Sequence, residues 1–153
     1  MKTLTHLFVL LAGCACLHAE SPAPTTPAPK AAHGQETELH DTMDEMRGAF
    51  KKLRSQIANP DANASSLQLV ARLRSASEAS IPLIPEKTQL LPEADREKFV
   101  AAYVAKMKDF LAEVQKLETA LKAGKNDEAA SILSRLGTMQ KEGHREFRPA
   151  KKD

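Results

Sequence analysis

One histidine near the end of the chain has neighbours that suit the binding of a flat group. His144 lies in segment 126–148, where apolar residues recur at the three- and four-residue steps of a helix. It sits at the rim of that apolar stripe, and the segment also holds Gly137 and Gly143. A glycine inside a helix costs about 1 kcal/mol relative to alanine. Two interpretations stay open: a rim histidine at the end of a packed helix, or glycines that make room for a flat group bound by His144.

A methionine near the start of the first predicted helix is the second candidate. Met43 belongs to an apolar stripe with helical spacing, which consists of Leu39, Met43, Met46, Phe50, Leu53 and Ile57. A methionine in such a stripe is usually a core residue, although its thioether is also a soft metal ligand. Periodicity alone does not separate Met43 from Met46, one turn away.

The two ends of the chain together resemble the cytochrome b562 family. Residues 124–129 (Gly-Lys-Asn-Asp-Glu-Ala) and 143–148 (Gly-His-Arg-Glu-Phe-Arg) are similar to the family's fourth helix. That helix opens on Gly-Lys-x-x-Glu-Ala and ends on a haem-ligating histidine followed by x-x-aromatic-Arg. Residues 39–43 (Leu-His-Asp-Thr-Met) are similar to its first helix, whose Leu-x-Asp-x-Met supplies the other axial ligand. The resemblance covers 37–148 and is weak in the middle.

The resemblance implies one non-covalent haem b with Met43 and His144 as axial ligands, in an electron carrier and not an enzyme. It places Tyr103 and Met107 against the porphyrin and Arg148 near a haem propionate. Gln140 stands where the best-known member has an arginine, so a propionate contact at that position is not implied. The implied fold is all-α, an antiparallel up-down-up-down four-helix bundle.

The residues themselves also predict four helices. Their periodic segments are 37–58, 65–81, the stretch between Pro92 and Gly124, and 126–148. Pro92 suits the start of a helix and Gly124 its end. Ser65 or Ser66 is expected to cap the second helix and Asn126 the fourth. No strand pattern competes with this all-α prediction.

Composition and motifs exclude several classes of function. At 153 residues the chain allows one domain, and a net charge of +2 with mixed signs gives no reason to expect nucleic acid. The sequence holds no glycine-rich phosphate loop, nucleophile elbow or zinc-ligand spacing. His40, Asp41 and Asp44 are potential metal ligands, but their spacing puts them mostly on the solvated side of a helix.

The N-terminus is a targeting segment. Lys2 precedes an apolar run at 4–11 that is too short to span a bilayer, so we expect residues 1–18 to be a signal peptide. Leu11-Ala12-Gly13-Cys14 resembles a lipobox, with Cys14 lipidated; cleavage after Ala19 is the alternative. Cys14 and Cys16 are the only cysteines, so no disulfide staples the domain and no Cys-x-x-Cys-His attaches haem covalently.

A proline-rich segment precedes the predicted bundle, and a short polar segment follows it. Residues 19–36 are rich in Pro, Ala and Thr and are expected to form a disordered tether. The bundle is expected over 37–148, followed by a disordered tail at 149–153. An anchored domain needs a spacer, so the tether favours a lipoprotein of the outer membrane that faces the periplasm.

Two function classes remain. The first is an envelope electron-transfer protein with haem b and an unidentified redox partner protein. The second is a haem-free four-helix bundle that acts as a binding or stress-sensing module of the bacterial envelope. A methionine at the start and a histidine at the end of the bundle favour the first.

Overall fold

The computed structural model describes the backbone of residues 30–150 and the side-chain burial of residues 38–150. This part of the chain forms four α-helices, with two short 3-10 helices in the connections. The α-helices are α1 (Lys30–Gln56), α2 (Asn63–Ser80), α3 (Glu93–Lys122) and α4 (Asn126–Phe147). Within residues 30–150 there is no strand, which confirms the predicted all-α fold. The predicted signal peptide, with Cys14, lies outside the described residues.

Helix α1 begins at Lys30, earlier than the expected start at Thr37. Residues 30–36, which the sequence analysis assigned to the tether, are therefore helical. The physical reason is that Pro29 is the last proline of the tether, and the Lys-Ala-Ala that follows it has high helix propensity. The rest of the predicted tether, 19–29, lies outside the described residues.

The helix ends follow the sequence signals at some positions and not at others. Helix α3 begins directly after Pro92, and Gly124 has a φ of 69°, the left-handed conformation expected at a C′ glycine. The predicted serine cap of α2 is wrong, because Ser65 and Ser66 lie inside the helix and accept hydrogen bonds from Gln56 Nε2 at 2.8 and 2.9 Å.

The core runs along the axis of the bundle and is mainly aliphatic. Its fully enclosed large side chains come from all four helices: Leu53, Val70, Leu73, Val114, Leu117, Leu121 and Leu136. Helix α2 contributes three buried serines, whose hydroxyls bond to its own backbone or to neighbouring side chains. Small residues there let α1 approach α2 closely.

The α2–α3 connection lies across one end of the bundle. It contains a short 3-10 helix, Glu86–Leu90, and Lys87 Nζ donates a hydrogen bond to the main-chain oxygen of Glu146 in α4. Leu83 is buried, whereas Leu90 is 71% exposed. Between Lys30 and Phe147, no helix is long and apolar enough to cross a membrane.

Candidate functional site

An open cavity of about 390 Å³ lies at the end of the bundle where α1 begins and α4 ends. Its walls come mainly from α1, α3, α4 and the α2–α3 connection, and Leu73 of α2 also lines it. All the site residues that the sequence analysis placed in the bundle line it: Met43, Tyr103, Met107, Gln140, His144 and Arg148. Residues that are far apart in the sequence are thus brought to one site, with Met43 and His144 on different helices.

The cavity lies between α1 and α4, which make few close backbone contacts with each other. Among the described helices, close backbone approach is extensive between α1 and α2, α2 and α3, and α3 and α4, but sparse between α1 and α4. At the opposite end the two helices are tied together, since Asn126 Nδ2 donates a 2.7 Å hydrogen bond to the main-chain oxygen of Ile57. Asn126 is therefore a bridge between helices and not the cap that the sequence predicted.

The surroundings of His144 at the cavity favour its neutral form. Partial burial lowers the pKa of its imidazole below the ordinary value, and the positive charges of Arg148 and Arg47 lower it further. His144 lies in the last turn of α4, and its main-chain oxygen accepts a hydrogen bond from Arg148 N. A neutral imidazole has a free nitrogen lone pair, which is the form that binds a metal.

The two methionines of α1 occupy different environments. Met46 is only 5% exposed, and its sulfur lies 3.2 Å from Ser77 Oγ in the core. Met43 is partly exposed, packs against the edge of the core and lines the cavity. Met46 also reaches the cavity wall. The lower burial of Met43 leaves its thioether the more accessible of the two.

The two glycines of α4 differ in the space around them. A Cβ built on Gly143 has no heavy atom within 4 Å, and Gly143 lines the cavity. A Cβ built on Gly137 comes within 2.7 Å of Arg54 Nη2, and the Arg54 guanidinium stacks 4.9 Å from the centroid of Phe50. Gly143 thus leaves space at the cavity, as the sequence suggested, whereas Gly137 accommodates a contact with α1.

Aromatic and sulfur-containing side chains form the inner wall of the cavity. Tyr103 is 3% exposed, and its hydroxyl donates a 2.9 Å hydrogen bond to the main-chain oxygen of Ser80. Burial raises the pKa of Tyr103 above its ordinary value, so the phenol stays protonated. Its ring meets that of Phe147 edge to face at 5.4 Å between centroids. Phe110 and Met139 also line the cavity, and neither was singled out as a site residue from the sequence.

Polar side chains surround the cavity. Gln140 from α4 and Arg148, just past the end of that helix, line it together with Arg47 and Lys106. Arg47 Nη2 also lies 2.8 Å from Asp44 Oδ1. Arg47 was not predicted as a site residue, although it lies one helical turn after Met43 and this spacing places it on the same side of α1.

The alternative metal site on α1 is not formed. His40 Nε2 lies 3.7 Å from Asp44 Oδ2, and both side chains are substantially exposed. Across the described part of the chain, no group of three or more His, Cys, Asp or Glu side chains is placed to hold a metal ion.

Comparison with known families gives the site its context. The family model described as cytochrome b562 matches residues 38–148. The chain belongs to the cytochrome b562 family. Cytochrome b562 proteins are haem-binding four-helix bundles that carry electrons, which confirms the fold and family predicted from the sequence. The search of curated proteins gave no match.

The cavity of this cytochrome b562 family member fits a haem in its chemistry. Haem is a flat, largely apolar macrocycle with two carboxylates. The inner wall is aromatic and aliphatic, and Gly143 adds free space beside it. A neutral imidazole and a thioether suit an iron ion, and the guanidinium groups of Arg47 and Arg148 suit carboxylates.

Proposed function

We propose that the protein is an electron carrier of the bacterial envelope that binds one non-covalent haem b through Met43 and His144. The observation that carries the proposal is that both side chains line one cavity and come from α1 and α4, two helices that make few close backbone contacts with each other. Membership of a family of haem-binding electron carriers supplies the cofactor class. The only two cysteines precede the described residues and form no covalent haem attachment motif.

The bound haem would supply an iron that alternates between the ferric and ferrous states. His144 would hold the iron through an imidazole nitrogen, since burial together with nearby arginines favours its neutral form. Met43 would provide a thioether, which stabilises the ferrous state and so raises the reduction potential. An iron held by both side chains would leave oxygen and peroxide no open position, so electron transfer would be favoured over catalysis.

The remaining cavity residues would tune and orient the group. Tyr103, Met107 and Phe147 are buried and would keep water from one face of the macrocycle. Low polarity around a cofactor is one of the means by which proteins set its potential. Arg148 would pair with a propionate, and Gln140 would offer a neutral hydrogen-bonding group beside it. The electrons would pass to a redox partner protein that the chain does not identify.

The proposed location rests on the sequence. We infer that residues 1–18 direct the chain to the envelope and that diacylated Cys14 anchors it to the outer membrane, facing the periplasm. A single acyl chain binds a bilayer weakly, whereas two hold stably. Full-length protein should therefore need detergent for extraction, and Cys14→Ser should release or misprocess it. Unchanged membrane association of Cys14→Ser would contradict lipidation at this residue.

Haem titration tests the cofactor proposal. Purified haem-free protein should bind haemin with a saturable Soret band at one haem per chain, and acid–acetone extraction should recover unmodified haem b. The titrated protein should cycle between ferric and ferrous forms with ascorbate and ferricyanide without reacting with peroxide. Absence of a saturable Soret band would contradict the proposal and leave the haem-free envelope bundle as the better account.

A further inference from the structure

Two hydroxyl groups join α1 to α2 directly beside Met43. Thr42 Oγ1 and Ser80 Oγ lie 3.0 Å apart, and Ser80 is fully buried. Each oxygen also faces a main-chain oxygen of its own helix, Leu39 for Thr42 at 2.9 Å and Ala76 for Ser80 at 2.8 Å. Each hydroxyl has one hydrogen to donate, so one of them supplies the interhelical bond while the other bonds to its own helix.

Ser80 also connects to the opposite wall of the cavity. Its main-chain oxygen accepts the hydrogen bond from the Tyr103 hydroxyl in α3, and the Tyr103 ring packs against Phe147 in α4. Phe147 lies one turn after His144. The contacts from Thr42 through Ser80 and Tyr103 to Phe147 therefore run through all four helices. They begin beside one proposed ligand and end one turn from the other.

The position of α1 at this end depends on α2. Because α1 and α4 make few close backbone contacts, α4 gives Met43 little support. Successive residues of a helix point about 100° apart. A contact that turns Thr42 towards α2 therefore turns Met43 towards the cavity that it lines. Loss of the contact would let the first turns of α1 rotate or tilt and move the thioether.

We propose that Thr42 and Ser80 are positioning residues that hold the Met43 thioether at the iron. The inference rests on the proposed function, in which Met43 is the axial ligand. Neither hydroxyl lines the cavity, so their effect on the haem would act through Met43. The contact between Thr42 and Ser80 is an ordinary buried hydrogen bond. Loss of such a bond changes an equilibrium constant by about fivefold.

A matched pair of substitutions at Thr42 tests the inference. Thr42→Val keeps the shape of the side chain and removes the hydroxyl, whereas Thr42→Ser keeps the hydroxyl. In the ferric haem complex, Thr42→Val should lower the ratio of thioether-bound to thioether-free iron by about fivefold. The thioether-to-iron charge-transfer band and the reduction potential should fall together. Thr42→Ser should retain both.

A buried serine one turn earlier in α2 provides the control. Ser77 Oγ lies 2.6 Å from the main-chain oxygen of Leu73, and none of the hydrogen bonds of Ser77 involves Thr42. Ser77→Ala should therefore leave the charge-transfer band intact while it removes a comparable buried hydroxyl. In haem-free protein, amide hydrogen exchange over 39–46 should accelerate about fivefold in Thr42→Val and not in Thr42→Ser.

The outcomes separate this inference from the proposed function. Wild-type protein that lacks the thioether band when loaded with haem would overturn both. A wild-type complex with the band, together with an unchanged band and potential in Thr42→Val, would overturn the positioning role alone. An equal loss of the band in Thr42→Val and Ser77→Ala would also overturn it, because general loosening of the core would then account for the effect.

Discussion

The side-chain amide of Asn126, at the start of α4, donates a 2.7 Å hydrogen bond to the main-chain oxygen of Ile57, just past the end of α1. The same nitrogen lies 2.8 Å from Asn63 Oδ1 at the start of α2. Asn126 is only 8% exposed, so these bonds are shielded from water. This asparagine closes the end of the bundle that lies opposite the cavity, because it joins the start of α4 to the end of α1 and to the start of α2.

Asn126→Ala should therefore destabilise the haem-free bundle. The substitution leaves the Ile57 carbonyl without its partner, which costs about 1–3 kcal/mol for a buried group. Urea denaturation followed by circular dichroism measures the free energy of unfolding. Asn63→Ala serves as the control, because it leaves the Asn126–Ile57 bond in place and should cost less. An equal loss of unfolding free energy in the two variants would contradict the role of Asn126 in closing this end of the bundle.

Gly143→Ala should stabilise the haem-free protein. No atom obstructs a Cβ at this position, so the substitution gains about 1 kcal/mol of helix propensity. The larger side chain of Gly143→Leu should instead occupy the cavity and weaken haem binding in a titration. Gly48 in α1 is the matched control, because it is also unobstructed but does not line the cavity. Haem binding to Gly143→Leu as tight as to Gly48→Leu would contradict the position of the site.

Acid should weaken both the haem-free fold and haem binding through His144. The pKa of His144 is lowered in the folded protein, mainly by burial, while an unfolded histidine titrates near 6.5. Between the folded pKa and about 6.5 the unfolded chain binds more protons, so stability falls as the pH falls through this window. Below the folded pKa the loss is complete, and the protonated imidazole no longer binds iron.

Nuclear magnetic resonance of the haem-free protein measures this titration directly. The ring protons of His144 should titrate below the ordinary value for histidine. Arg148→Gln removes one of the nearby positive charges and should move the pKa of His144 upward, although burial keeps it below the ordinary value. A wild-type His144 that titrates at or above the ordinary histidine value would contradict the environment described for it.

Much of the fold was predictable because its determinants are local in sequence. Helical spacing of apolar residues gave four helices, and Pro92 and Gly124 marked a start and an end that the structure confirms. The start of α1 was predicted too late, because the segment before it is rich in both Pro and Ala. Alanine occurs on both sides of the last proline, so composition alone does not show where the helix begins. Its first residues follow Pro29 directly.

The site was only partly predictable, since several of its features depend on contacts between helices. Gly137 and Gly143 look alike in the sequence, and only the position of Arg54 distinguishes them. Asparagine is a residue type typical of helix caps, yet the side-chain partners of Asn126 are Ile57 and Asn63. Spacing reveals which residues share a helix face but not what lies opposite that face. The resemblance at the two ends led us to propose the pairing of Met43 with His144, which periodicity alone could not suggest.

The absorption spectrum of the ferric haem complex tests the central claim most directly, by comparison of Met43→Ala with Met46→Ala. Met46→Ala should cost core packing, on the order of 2–5 kcal/mol, yet keep the thioether-to-iron band, since its sulfur faces Ser77 in the core. Met43→Ala should lose that band, lower the reduction potential and open a coordination position, and His144→Ala should lose more haem still. Indistinguishable spectra for the Met43 and Met46 variants would contradict ligation by Met43.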